Sequence, residues 1–336
     1  MERVFYGIVL IERLLIKNIL MRTITFLLIF FLPLKILKAQ EKKFSKDELL
    51  FEKAYALNEL YDNEFERYFD EKTDSVFLAS DQYEHIKFTL LEKAFDYYKE
   101  LIDSFPKSKL YYRSLNNMAF VSKALRMPKQ AESIFLKIVN SDANDLEIHG
   151  GEGLMGEPFT NYKNRAIKQL ALICIERNEF KNALEYLDLV KKYPYHHFCG
   201  NEYSADEIHM AILYAKCYIG LNENEKAKKI LLPHIIENGL ASNRELVDIT
   251  VQFLLKNNDA KEIREQLVSA FTNYKTETEK SKNKEEEYER YYINFLDVKI
   301  EIESWEIEFL TEEQQKKDKM MEKCKRSYFY KSLAIY

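Results

Sequence analysis

The sequence predicts an all-α chain built from antiparallel helix pairs that stack on one another, with a small divergent C-terminal segment. Three observations carry this. Apolar and small residues recur at helical spacing in a repeated pattern, short polar turns separate the members of each pair, and the extra length lies between pairs rather than inside them.

The pattern reads Leu115-x2-Met118-Ala119, then Ala131-x3-Phe135-x2-Ile138. It returns as Ile167-x2-Leu170-Ala171 with Ala183-x3-Leu187-x2-Val190, and again as Ala211-x2-Tyr214-Ala215-x2-Tyr218 with Ala227-x3-Leu231. In each copy the alanines leave room for one helix to approach the other. Glu176-Arg177-Asn178 and Asn222 to Asn224 supply the turns, and Gly220 is a place to loosen the helix before the last of them. The second copy ends at Lys191-Lys192-Tyr193-Pro194, where lysines suit the negative helix end and proline stops the hydrogen-bond ladder.

An earlier half-copy, Ala94-x3-Tyr98-x2-Leu101 closed by Phe105-Pro106, places its own first helix near Ser75 to Thr89. A further helix pair is expected at Arg244 to Lys256 with Ala260 to Tyr274, and another, over Lys46 to Asp70, covers the N-terminal end of the core.

These segments resemble tetratricopeptide repeats, helix-turn-helix units of about 34 residues. The likeness covers roughly residues 75 to 240. The second-helix alanines at 94, 131, 183 and 227 are 37, 52 and 44 residues apart. The excess forms inserted loops at 140–163 and 195–205, which such a stack projects from one side. The helical repeat domain is thus expected over 44–275, followed by a charged linker and C-terminal extension over 276–336. Lys275 to Arg290 reads as exposed helix or linker. Phe295 to Leu310 alternates apolar and acidic residues and reads as two short strands, with a helix as the alternative because no Gly or Pro marks a turn.

Residues 1–39 lie apart from this body. From Met21 the order is a basic residue, an apolar stretch over roughly Ile24 to Leu34 and a small residue at Ala39, the outline of a secretory signal. The segment before Met21 is explained by a misassigned start, or by an uncleaved anchor interrupted at Glu12, Arg13, Lys17 and Arg22. Cleavage near Ala39-Gln40 predicts an exported protein of the periplasm, cell envelope or surroundings, with no stable membrane span. Removing six Lys or Arg and two Asp or Glu changes the formal charge from −5 to −9. Such a surface does not invite nucleic acid.

Chemistry-bearing residues gather in the two inserted loops. Four of the eight glycines lie between Gly150 and Gly156, without the Lys-Ser/Thr of a phosphate loop. His149, His196, Cys199 and His209 are the weak candidates for a metal site, and no cofactor is expected. A loop-borne metal-dependent or cysteine hydrolase, with Cys199, His149 or His209 and Glu202 as its group, is one alternative. A glycan- or small-ligand-binding module is another.

The resemblance implies instead a non-enzymatic scaffold that binds a protein or peptide in a groove formed by the first helix of each pair. Tyr112, Asn116, Lys123, Lys168, Arg177, Glu207 and Lys216 are the partner-binding candidates. Asn116 and Lys123, seven apart, share a helix face.

Overall fold

The computed structural model describes residues 44–61, 81–143, 147–148, 159–195, 197, 199–236, 241–280, 287–303 and 305–336. The expected signal segment, the Gly-rich run 149–158, the end of the expected 46–70 helix pair and the start of the expected 75–89 helix lie outside them. From Leu50 onward the chain forms one compact unit. It is largely helical and ends in a small three-stranded sheet.

The helices are α1 (Lys46–Glu59), α2 (Asp81–Ser104), α3 (Tyr111–Ala124), α4 (Pro128–Val139), α5 (Tyr162–Glu176), α6 (Phe180–Val190), α7 (Gly200–Gly220), α8 (Asn224–Leu231), α9 (Arg244–Leu254) and α10 (Ala260–Thr272). Each of α2 to α8 packs on the next, and α5 also touches α3 and α7. These repeating helix-pair contacts are those of an all-α solenoid. Ala119, Ala131, Ala171, Ala183, Ala215 and Ala227 are all fully buried, as close helix approach requires.

One expected break is absent. Residues 81–104 run as a single helix, so Thr89 and Ala94 belong to one element rather than to two halves of a pair. No Gly, Pro or turn cluster interrupts the stretch, and Leu91, Ala94, Tyr98 and Leu101 make a continuous buried stripe at helical spacing.

The turns inside three pairs are copies of one another. Arg126, Asn178 and Asn222 have φ of 58°, 60° and 58°. Each stands five residues before its second-helix alanine. The next residue reaches back in every case: Met127 N donates to Ser122 O (2.9 Å), Glu179 N to Cys174 O (2.8 Å) and Glu223 N to Tyr218 O (2.8 Å). This closes the otherwise open carbonyls of the helix end with a left-handed residue. Gly220 closes α7 rather than loosening it. A side chain there would collide with the Phe180 ring, 2.3 Å from where its Cβ would stand.

The first inserted loop is pinned by β1 (Glu147–Ile148) and β2 (Phe159–Thr160), paired antiparallel. Just beyond it, Asn161 caps α5 by accepting from Asn164 N (2.8 Å) and donates to Pro194 O (2.9 Å). Asn164 donates to Tyr193 O (2.7 Å). Two buried amides thereby tie the start of α5 to the start of the second inserted loop.

The described residues of Lys275 to Arg290 are strand rather than helix or linker. They contain β3 (Lys275–Lys280) and the first part of β4 (Glu287–Phe295), which pair antiparallel from Lys275↔Tyr292 to Lys280↔Glu287. β5 (Val298–Ile302) pairs with β4 across a two-residue turn in which Leu296 and Asp297 have positive φ. Residues 305–309 form turns, so the second strand expected there is absent. Tyr291, Ile293, Phe295, Val298, Ile300 and Ile302 point inward. They join α9, α10, α11 (Glu313–Arg326) and α12 (Tyr328–Leu333) in one apolar core. The outer face is an ionic ladder, with Lys299 to Glu277 (2.7 Å) and Arg290 Nε to Glu279 (2.8 Å).

Candidate binding groove

A cavity of about 560 Å³ opens where the first helices converge. α3 contributes Asn116, Asn117, Phe120 and Lys123, the C-terminal part of α1 contributes Tyr55 and Glu59, and α5 contributes Arg165, with Tyr61 just beyond α1. Asn116, Phe120 and Lys123 are four and three residues apart, so one helical face presents all three.

The polar groups at its floor form a chain. Tyr98 has no exposed surface, and its hydroxyl accepts from Asn117 Nδ2 (3.1 Å). Burial pushes the Tyr98 phenol well above its ordinary range, so it stays neutral. Asn117 Oδ1 in turn accepts from Asn116 Nδ2 (3.2 Å). The chain ends at Asn116 Oδ1, which is buried and has no partner among the described residues; Asn116 is only 3% exposed. A buried acceptor in that condition costs about 1–3 kcal/mol.

Both cations of the lining meet neutral acceptors. Lys123 Nζ donates to Gln169 Oε1 (2.7 Å), and Arg165 Nη2 donates to the Tyr195 hydroxyl (2.6 Å), its guanidinium 5.4 Å from that ring's centre. Glu59 is the carboxylate among the lining residues. Phe120 packs edge-on against Phe135 yet stays 37% exposed. The groove therefore offers the Asn116 acceptor and the Glu59 carboxylate, two cations and aromatic rings at its wall. A larger recess of about 730 Å³ between α10 and the β4–β5 turn has, among the described residues, no buried polar atom left without a partner.

Of the seven residues expected to bind a partner, Asn116 and Lys123 line the groove and the other five lie elsewhere. Lys123, Lys168 and Lys216 instead form a ladder from each first helix to the next. Lys123 on α3 bonds Gln169 on α5, the largely buried Lys168 on α5 pairs with Asp206 on α7, and Lys216 on α7 pairs with Glu245 on α9 (3.3 Å). Arg177 bonds Glu132 on α4 (2.9 Å), and Tyr112 donates to Asp142. Glu207 is exposed on α7.

His149 and His196 lie outside the described residues. Cys199 precedes the first residue of α7, and His209 lies in the middle of that helix. Desolvation, then the Lys168 ammonium, holds the His209 imidazole below its usual range. His197 packs between the Tyr195 and Tyr203 rings, both 4.9 Å away, with Nε2 3.6 Å from Asp206. Among the described residues no three His, Cys, Asp or Glu side chains converge to hold a metal. All four cysteines are free thiols. Among the described residues, no helix is long and apolar enough to cross a membrane.

Sequence reasoning did not reach Tyr98, Asn117, Phe120 or Arg165. The available signal was the Asn116-Asn117 doublet inside an otherwise apolar helical stripe. No family model matches the chain, and neither curated proteins nor solved structures give a match.

Proposed function

We propose that this chain is a non-enzymatic, tetratricopeptide-like scaffold that binds an extended protein segment in the groove between α1, α3 and α5. The observation that carries the reading is Asn116 Oδ1, a buried acceptor on a residue that lines the cavity, with no donor among the described residues. A peptide main chain supplies an N–H for that oxygen and a carbonyl for Lys123 or Arg165, while its side chains meet Tyr55, Tyr61 and Phe120. Export through the N-terminal signal places this binding in the cell envelope or outside the cell.

The test is selection of a random peptide library on the purified protein, followed by calorimetric titration of enriched peptides. Asn116→Ala is expected to weaken them at least about tenfold, the loss typical of a central contact. Enriched peptides that ignore Asn116→Ala and Lys123→Ala, in variants with unchanged circular dichroism, would overturn the reading.

A further inference from the structure

The C-terminal extension carries a feature that complements this groove. Trp305 and Phe309, 59% and 84% exposed, stand on the loop between β5 and α11. The loop is not free to collapse over them. Ile307 is fully buried in the C-terminal core, Leu310 N donates to Ile307 O (2.9 Å), and Lys323 Nζ donates to Glu303 O (2.7 Å). Glu306 pairs with Lys319 (3.6 Å) and Arg326 (3.7 Å). Two aromatic side chains are therefore held outward on a fixed mount, and their exposure is the kind that marks an interaction site.

The loop's own sequence carries charge of one sign, although Lys319 and Arg326 of α11 stand beside Glu306. Residues 301–313 read EIESWEIEFLTEE, with six glutamates and no lysine or arginine. The groove has the opposite character, with Lys123 and Arg165 on neutral acceptors against the single carboxylate of Glu59, and with Tyr55, Tyr61 and Phe120 as apolar wall. Its volume of about 560 Å³ falls in the range that encloses a drug-sized ligand, room enough for two aromatic side chains.

We infer that the groove of one copy receives the Trp305–Phe309 loop of a second copy of this chain. The inference rests on the peptide-binding reading of the groove and names its occupant. Trp305 and Phe309 enter against Phe120 and the tyrosines, glutamates of the loop face Lys123 and Arg165, and a loop N–H supplies the donor for Asn116 Oδ1. The anchored loop packs with α11 on the α9–α10 end, whereas the groove belongs to α1, α3 and α5. The contact is head-to-tail, so copies add in a row unless the rotation closes a ring.

Sedimentation velocity over a concentration series, read beside the emission of Trp305, tests this, because Trp305 is the sole tryptophan. The native chain should show a mass rising with concentration and a matching blue shift. Both should weaken in high salt as the charge attraction is screened. Trp305→Ser with Phe309→Ser, and separately Lys123→Glu with Arg165→Glu, should each weaken association at least about tenfold. Mixed together, the two variants should form a one-to-one complex that grows no further, since each keeps one working surface. If the groove variant fails to fold, Phe120→Ser takes its place.

A native chain that stays monomeric at the highest attainable concentration, or associates regardless of these changes, overturns the inference. If library peptides still bind through Asn116 in that case, the groove reading survives and only its occupant is wrong. If they do not, both fall.

Discussion

Replacing Gly220 by alanine sets two opposed effects against each other, and the geometry decides between them. Alanine favours a helix over glycine by up to about 1 kcal/mol, less at the last helical position, so an unobstructed change would stabilise α7. Here the added Cβ would stand 2.3 Å from Cε2 and Cζ of Phe180 and 2.6 Å from Cδ2. Three ring atoms are met at once, and the ring begins α6 and packs in the small core shared with Cys174 and Cys217. Restoring ordinary contact requires a movement of about 1 Å, in a class of overpacking that costs about 1–3 kcal/mol. The expected net result is destabilisation by roughly 1–2 kcal/mol, read as a lower urea midpoint at unchanged slope. In a Phe180→Ala background the obstruction is gone, and the same change should raise the midpoint. The double-mutant cycle should give a coupling of about 1.5–3 kcal/mol. A Gly220→Ala effect of the same sign and size in both backgrounds would refute the reasoning.

The three left-handed turns predict an order of effects. Asn222→Ala should cost about 1 kcal/mol while Asn222→Gly costs little, and Arg126→Gly should gain less than the roughly 1 kcal/mol of relieved strain because it loses the Arg126 guanidinium over the Phe88 ring (5.7 Å), all measurable by chemical denaturation. Asn164→Ala removes the bond to Tyr193 O and should destabilise by about 1–3 kcal/mol, with faster amide exchange at the start of the second inserted loop. Burial pushes the Cys217 thiol up from 9.0 to about 11 and the Cys324 thiol up to about 12. The unfolded thiols ionise first, so their contribution is whole below about pH 9 and is lost as pH rises through the folded values. Urea midpoints should fall between pH 9 and 12, and Cys324→Ala should flatten that fall.

Much of the helical body can be read directly from residue spacing. Ala131, Ala183 and Ala227 mark real helix contacts because a small residue at that spacing has little other use, and Pro194 and the Asn178 and Asn222 turns are local signals. The β3 strand was illegible for an equally physical reason. Its residues Lys275 to Lys280 are almost all exposed, so no apolar alternation is written into it, and backbone pairing and cross-strand ion pairs hold it. The groove was half legible. Asn116 and Lys123 share a face by arithmetic, but Arg165 and Tyr98 arrive from other helices, and no local pattern tells which turn of α5 or α2 will meet α3. The same ignorance made Lys168 and Lys216 look available, when neighbouring helices already engage them.

A row of helix pairs carries no measure of its own length, because each pair ends in the same kind of surface on which another could be laid. The C-terminal sheet changes that surface. Its inward residues alternate with period two, and together with α11 and α12 they occupy the apolar sides of α9 and α10 where a further pair would otherwise settle. The segment after α10 is thus a terminator written in a different periodicity. Growth beyond it by helix-pair stacking is blocked, and any longer assembly must be made by contacts of another kind.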